Sequence, residues 1–148
     1  MKASEILKVK GDTLYTVTPG TSLQQALDTM VDKDIGSLVV MQSGSLAGML
    51  TFREVMKAIH ANGGQVGDGV VRDYMEADPI FINPDIDVNE LRRIMLERHA
   101  RYVPVMEERT LHGVISFYDV ARAVLDAQSF ENRMLKAYIR DWPVENEE

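Results

Sequence analysis

Two short stretches hold the residue types best placed to do chemistry. They are Gly48-Met-Leu-Thr-Phe-Arg-Glu54 and Gly113-Val-Ile-Ser-Phe-Tyr-Asp119, 65 residues apart. Each reads glycine, two apolar residues, a hydroxyl, phenylalanine, one variable residue and a carboxylate. An apolar run ends at Thr51 or Ser116, and a helical pattern follows, Val55 to Ile59 or Val120 to Val124. Each stretch is therefore a strand running into a helix with the hydroxyl at the junction. A helix start offers unpaired N–H groups and the positive end of the dipole, which suits an anion. The same spacing also fits a capping box, Thr51-x-x-Glu54 and Ser116-x-x-Asp119, in which hydroxyl and carboxylate satisfy backbone N–H groups reciprocally. Capping alone would account for these four residues. Gly48 and Gly113 read as backbone positions that allow close approach or positive φ.

Other chemistries find little footing. The chain has no cysteine, which removes disulfides, thiolate zinc sites and a cysteine nucleophile. His60, His99 and His112 share no short ligand spacing, so no metal site is predicted. There is no recognisable Ser/His/Asp arrangement and no carboxylate-rich metal spacing; no catalytic residue is assigned and no enzyme is expected. Gly63-Gly-Gln-Val-Gly-Asp-Gly69 lacks both the Lys-Ser/Thr ending of a P-loop and the G-x-G-x-x-G order, and reads as a flexible joint. The nine methionines fall mostly at repeat-equivalent inward positions and read as core filler. The net charge of -7 argues against nucleic acid as the main partner, since phosphate binding wants excess Lys and Arg. No apolar run approaches the roughly 18 to 20 residues that span a membrane, and Met1 to Lys10 lacks the apolar core of a signal peptide. A cytoplasmic protein is expected.

These stretches are positioned by an internal repeat. Val17–Ile59 aligns with Ile82–Val124 without a gap, with nine identities in 43 positions, among them Pro19/Pro84, Met30/Met95, Gly48/Gly113 and Phe52/Phe117. The first copy reads as strand Leu14–Val17, a helix carrying Leu23, Ala26, Leu27, Met30 and Val31, strands Ser37–Met41 and Leu46–Thr51, and helix Phe52–Ala61. The second reads as Ile80–Ile82, Val88–Arg98, Tyr102–Met106, His112–Ser116 and Phe117–Ala127. Short helical turns, Ser4–Leu7 and Val70–Met75, precede the copies, and Phe130–Ile139 adds a terminal helix. Asp141–Glu148 is acidic, contains Pro143 and is expected to fray. The predicted domains are 1–61, a Gly-rich linker 62–69, 70–128, and a terminal helix and tail 129–148. The fold class is α+β. A unit of about 60 residues is marginal alone, so the two β-α-β-β-α units are expected to pack through their sheets about a pseudo-two-fold axis, which brings both motif stretches toward a cleft.

A duplicated unit ending in Gly-h-x-[Thr/Ser]-x-x-[Asp] resembles the cystathionine-β-synthase (CBS) domain, and two in tandem resemble a Bateman module of the stand-alone bacterial type. The likeness covers roughly residues 4 to 127. It includes Val71-Arg-Asp-Tyr-Met75 and Arg101-Tyr-Val-Pro-Val105, which is similar to the family's Arg-His-Leu-Pro-Val stretch. The resemblance implies a cleft for an adenine-containing ligand: AMP foremost, with ATP, ADP, S-adenosylmethionine or NAD as further candidates. It gives Asp119 the ribose hydroxyls and Ser116 a phosphate role, with Glu54 and Thr51 in those positions in the first unit. Arg53 matches the arginine of the Thr-Glu-Arg-Asp form. A carboxylate accepts from a vicinal diol through two oxygens, and an arginine fork suits phosphate. Arg101, Tyr102, Val103 and Pro104 supply the strand beside the base, and backbone groups around Ile80, Val103 and Ile115 would read its edge.

The units are unequal. Glu54 replaces the usual aspartate, and Gly36-Ser-Leu-Val-Val40 lacks the arginine and proline of Arg101-Tyr-Val-Pro-Val105, so the site around Asp119 is favoured. The expected function is a regulatory nucleotide-binding module, a homodimer through its helices, acting on an unknown partner protein. The alternative is a ligand-free structural or protein-interaction dimerisation module.

Overall fold

A computed structural model describes residues 1–11 and 13–141. The predicted acidic tail lies outside the described residues beyond Asp141. The elements are α1 (Ala3–Lys10), β1 (Thr16–Val17), α2 (Leu23–Lys33), β2 (Ser37–Gln42), β3 (Ser45–Thr51), α3 (Phe52–Ala61), a 3₁₀ turn (Val71–Asp73), β4 (Glu76–Ala77), α4 (Val88–Arg98), β5 (Tyr102–Glu107), β6 (Thr110–Ser116) and α5 (Phe117–Arg140). The repeated α+β unit is present twice. Strand β1 runs parallel to β2, which pairs antiparallel with β3. In the second unit β5 and β6 pair in the same register, and Ile82 alone bridges Val105 in place of a first strand. The predicted strand Ile80–Ile82 is reduced to that bridge, held by Ile82 N–H to the Pro104 carbonyl and Met106 N–H to the Ile82 carbonyl.

The repeat extends to unusual backbone. Helices α2 and α4 both end on a left-handed non-glycine residue, Asp34 (φ 53°) and His99 (φ 52°). The β-hairpins turn at Ser43 and Glu108, also left-handed. Both hairpins shift register at equivalent points, Val40/Met41 and Val105/Met106. Helices α2 and α4 are capped at their starts: Ser22 accepts from Gln25 N–H and Asp87 from Asn89 N–H.

Each unit's core is completed by the lead-in of the other. Ala3 and Ile6 of α1 are buried with Val88, Leu91, Met95, Val103, Ile115 and Val120 of the second unit. Val71 is buried with Leu23, Met30, Leu38, Leu50 and Ala58 of the first. The backbone docking is equivalent on both sides. Ala3 and Ser4 N–H groups donate to Ile86 and Pro84 carbonyls, as Val71 and Arg72 donate to Thr21 and Pro19. The lead-in 70–77 also supplies β4, which adds to the edge of β3 and makes a four-stranded sheet in the order β1-β2-β3-β4.

Two further readings change, at the second helical turn and at the terminal helix. The helical turn at Val70–Met75 is a 3₁₀ turn limited to Val71–Asp73. The glycine-rich linker is a hydrogen-bonded turn: Asn62 Nδ2 donates to the Val66 carbonyl and to Tyr74 Oη, each at 3.1 Å. The predicted break between Phe117–Ala127 and Phe130–Ile139 does not exist, and α5 is one helix of 24 residues. Gln128 and Ser129 contain neither Gly nor Pro, so nothing there interrupts the backbone ladder; what ends near Ala127 is the packing, not the helix.

Candidate functional site

Both motif stretches fold as capping boxes at strand-to-helix junctions. In the first unit, Glu54 Oε2 accepts from Thr51 N–H at 2.9 Å and from the Thr51 hydroxyl, which in turn accepts from Arg53 N–H. In the second, Asp119 Oδ2 accepts from Ser116 N–H at 2.8 Å and Ser116 Oγ accepts from Asp119 N–H at 3.0 Å. The motif glycines serve close approach rather than positive φ. A Cβ on Gly48 would meet Met75 Sδ at 2.7 Å and the Glu76 carbonyl at 2.8 Å; one on Gly113 would meet Leu7 Cδ2 at 2.8 Å. Each glycine is thus the seat of the other unit's lead-in.

Two clefts open between the units. One, of about 690 Å³, is walled by Lys10, Tyr15, Lys33, Gly36, Arg101, Tyr102 and Ser116. The other, of about 610 Å³, is walled by Thr51, Arg53, Glu54, Ile80, Arg98, Arg101 and Tyr102. Arg101 and Tyr102 line both, because they stand where the first unit has Gly36 and Ser37. Glycine at position 36 is required by space: a Cβ there would run into the Tyr102 hydroxyl and the Phe52 ring.

The predicted site residues therefore divide. Thr51, Arg53, Glu54 and Ile80 share the smaller cleft, so Ile80 lines a different cleft from Ser116 and Lys10. Ser116 faces the larger cleft. Val103, Pro104 and Ile115 are buried and line neither cleft; the Val103 and Ile115 side chains belong to the second core, because alternate strand residues point inward. The Pro104 carbonyl is taken by Ile82 N–H.

Asp119 carries a partner that the sequence did not reveal. Lys10 Nζ donates to Asp119 Oδ2 and to the Val114 carbonyl, both at 2.8 Å. Burial pushes the Asp119 carboxyl up, but the Lys10 hydrogen bond, the Ser116 N–H and the Lys10 charge outweigh it and hold it below the usual aspartate range. No periodic pattern signals Lys10, because it arrives on α1 through the exchanged lead-in. Glu54 forms no ion pair among the described residues; its partners are its own capping box. Among the described residues no cluster of histidines and carboxylates has metal-binding geometry, and no helix is long and apolar enough to cross a membrane.

Comparison with known proteins places this architecture. The sequence model of the CBS domain matches residues 8–61 and 71–126. A CBS domain-containing protein, CBSX3, mitochondrial, of Arabidopsis thaliana is 30% identical over 147 residues, covering 93% of this chain and 71% of its own. The crystal structure of a CBS-domain containing protein from Agrobacterium tumefaciens superposes with a TM-score of 0.78 at 30% identity, over 83% of this chain and 98% of its own. CBSX2, solved in complex with AMP, shares the fold at 21% identity with a TM-score of 0.71, over 84% of this chain and 97% of its own.

Proposed function

The chain belongs to the CBS domain family as a tandem pair, and from that premise we propose that it is a regulatory module that takes an adenine nucleotide, AMP, ADP or ATP, between its units and relays occupancy to a partner protein. One observation carries this reading. At each junction a capped helix start and basic side chains converge on a cleft of nucleotide size, with the motif carboxylate lining the cleft in the first unit (Glu54) and standing behind Lys10 in the second (Asp119); ligand pockets span about 300 to 1,000 Å³. The AMP complex of CBSX2 supports the ligand class. Asp119 takes the ribose hydroxyls, Ser116 and the basic wall the phosphate, and Tyr102 the base. A cytoplasmic location and homodimerisation belong to the same reading. Phe52, Met56, Leu96, Tyr118 and Leu125 on α3, α4 and α5 are exposed apolar side chains, more than solvated helices ordinarily show. Light scattering should show a species larger than the 16.7 kDa monomer; a monomer at tens of micromolar would remove the dimer.

A specific observation favours the alternative of a ligand-free interaction module: both motif carboxylates already have partners, Lys10 for Asp119 and Thr51 for Glu54. A thermal-shift screen with AMP, ADP, ATP, NAD, S-adenosylmethionine and GMP decides. Binding to the native state raises apparent stability by RT ln(1 + [L]/Kd). Stabilisation by AMP with a weaker shift from GMP supports the nucleotide reading; no shift from any ligand leaves the interaction module, and turnover of a ligand would reopen an enzymatic role.

A further inference from the structure

The carboxylate expected to hold ribose is covered. In the larger cleft the wall is formed by Lys10, Val114 and Ser116, and the Lys10 ammonium stands on Asp119 Oδ2 and the Val114 carbonyl. Lys10 is the last residue of α1, a helix seated by Leu7 on Gly113 of the same β6 strand. The Lys10 side chain is 40% exposed and that of Asp119 is 19% exposed, so the cation is the solvent-side member of the pair. In the smaller cleft Glu54 itself lines the space.

We propose that Lys10 is the specificity-determining residue of the larger cleft. It exchanges Asp119 for the phosphate of an incoming nucleotide, so the cleft selects anionic adenine nucleotides over neutral or cationic adenosine derivatives. The inference rests on the adenine reading above. A vicinal diol engages both oxygens of a carboxylate, and Oδ2 is already shared by Ser116 N–H and Lys10. Seating the diol requires Lys10 to leave Oδ2. A neutral nucleoside separates the ion pair and returns no partner to the ammonium, and a partly buried charge without its partner is costly. A 5′-phosphate replaces the carboxylate through a charge-assisted hydrogen bond. A sulfonium ligand adds a like charge. Arg101 and Lys33 share the cleft wall, but Lys33 lies over the Tyr15 ring at 5.7 Å and neither pairs with the motif carboxylate. His112, also on this wall, stands beside Glu107, so among the described residues Lys10 alone couples the ribose seat to the anion.

Calorimetric titration of the wild-type chain, K10M and K10R with AMP, adenosine and S-adenosylmethionine tests this. The wild type should bind AMP about tenfold or more tighter than adenosine, the scale of one hydrogen bond to a charged group, and S-adenosylmethionine least. K10M should bring AMP and adenosine close together, weakening the first and strengthening the second. K10R should keep the wild-type order, which separates loss of charge from loss of α1 docking. If the wild type binds AMP and K10M keeps the wild-type ratio, or weakens both ligands equally, the role of Lys10 is overturned while the nucleotide reading stands. If the wild type binds no adenine ligand, the nucleotide reading is overturned and this inference with it.

Discussion

The two clefts are built on one backbone and differ in what reaches the motif carboxylate. Left-handed helix ends, hairpin turns, strand shifts and capping boxes recur at equivalent positions in both units. Yet Glu54 folds back onto Thr51, while Asp119, one methylene shorter, meets Lys10 as well as Ser116. The lead-ins differ too: α1 ends in a lysine beside Asp119, and its counterpart brings Glu76 to the wall near Glu54. Duplication has kept what backbone geometry demands, whereas the groups that could meet a ligand have diverged.

The largest effect should come from the seats of the lead-ins. Gly48→Ala places a methyl against the Glu76 backbone and should cost about 2 to 3 kcal/mol in urea denaturation. Gly113→Ala meets only the movable end of Leu7 and should cost about 1 kcal/mol; equal losses would mean that the two dockings are equally rigid.

Asp119→Asn keeps shape and one acceptor oxygen but loses the charge, so AMP should bind about 2 kcal/mol more weakly, roughly thirtyfold. Glu54→Gln preserves the capping box and should leave affinity nearly intact. Calorimetry giving the reverse order would move the ligand to the smaller cleft. Next come the caps: Ser116→Ala and Thr51→Ala should each lower stability by about 1 kcal/mol, read from thermal or chemical unfolding. Only Ser116→Ala should also weaken AMP, through loss of a phosphate contact.

The smallest effect is a pH dependence. The folded Asp119 carboxyl is held below its unfolded value by Lys10 and Ser116. Its contribution is present above the ordinary aspartate range, about pH 4, and is lost as pH falls through the lower, folded value. Carboxyl-carbon NMR should show Asp119 titrating below the ordinary aspartate range, and K10M should move it up. An unmoved titration would break the ion pair that distinguishes the two clefts.

Much of the unit was legible where local rules decide. The bounds of α3 follow from the Thr51 capping box with apolar residues at helical spacing behind it and agree with Phe52–Ala61, and helical spacing places α4 at Val88–Arg98. The 65-residue repeat located both junctions. The rest depends on partners distant in sequence. Ala3, Ile6 and Leu7 mark an apolar face without saying which core receives it. Glu76–Ala77 becomes a strand only because β3 offers an open edge, and both residues are exposed. A linear motif does not say which cleft an exchanged lead-in serves. Lys10 was invisible for the same reason.

The exchange of lead-ins also governs how the molecule comes into being. During synthesis α1 emerges long before Val103, Ile115 and Val120, the residues that bury it, and an eight-residue helix is marginal in water on its own. The first unit in turn waits for Val71 before its own core closes. Neither half can mature independently while the nascent chain is short, and the long sequence separation of these contacts slows their formation. Fragments cut within the turn at 62–69 should each display an uncovered apolar seat and should recover native structure only when mixed, each lending the other the segment it lacks.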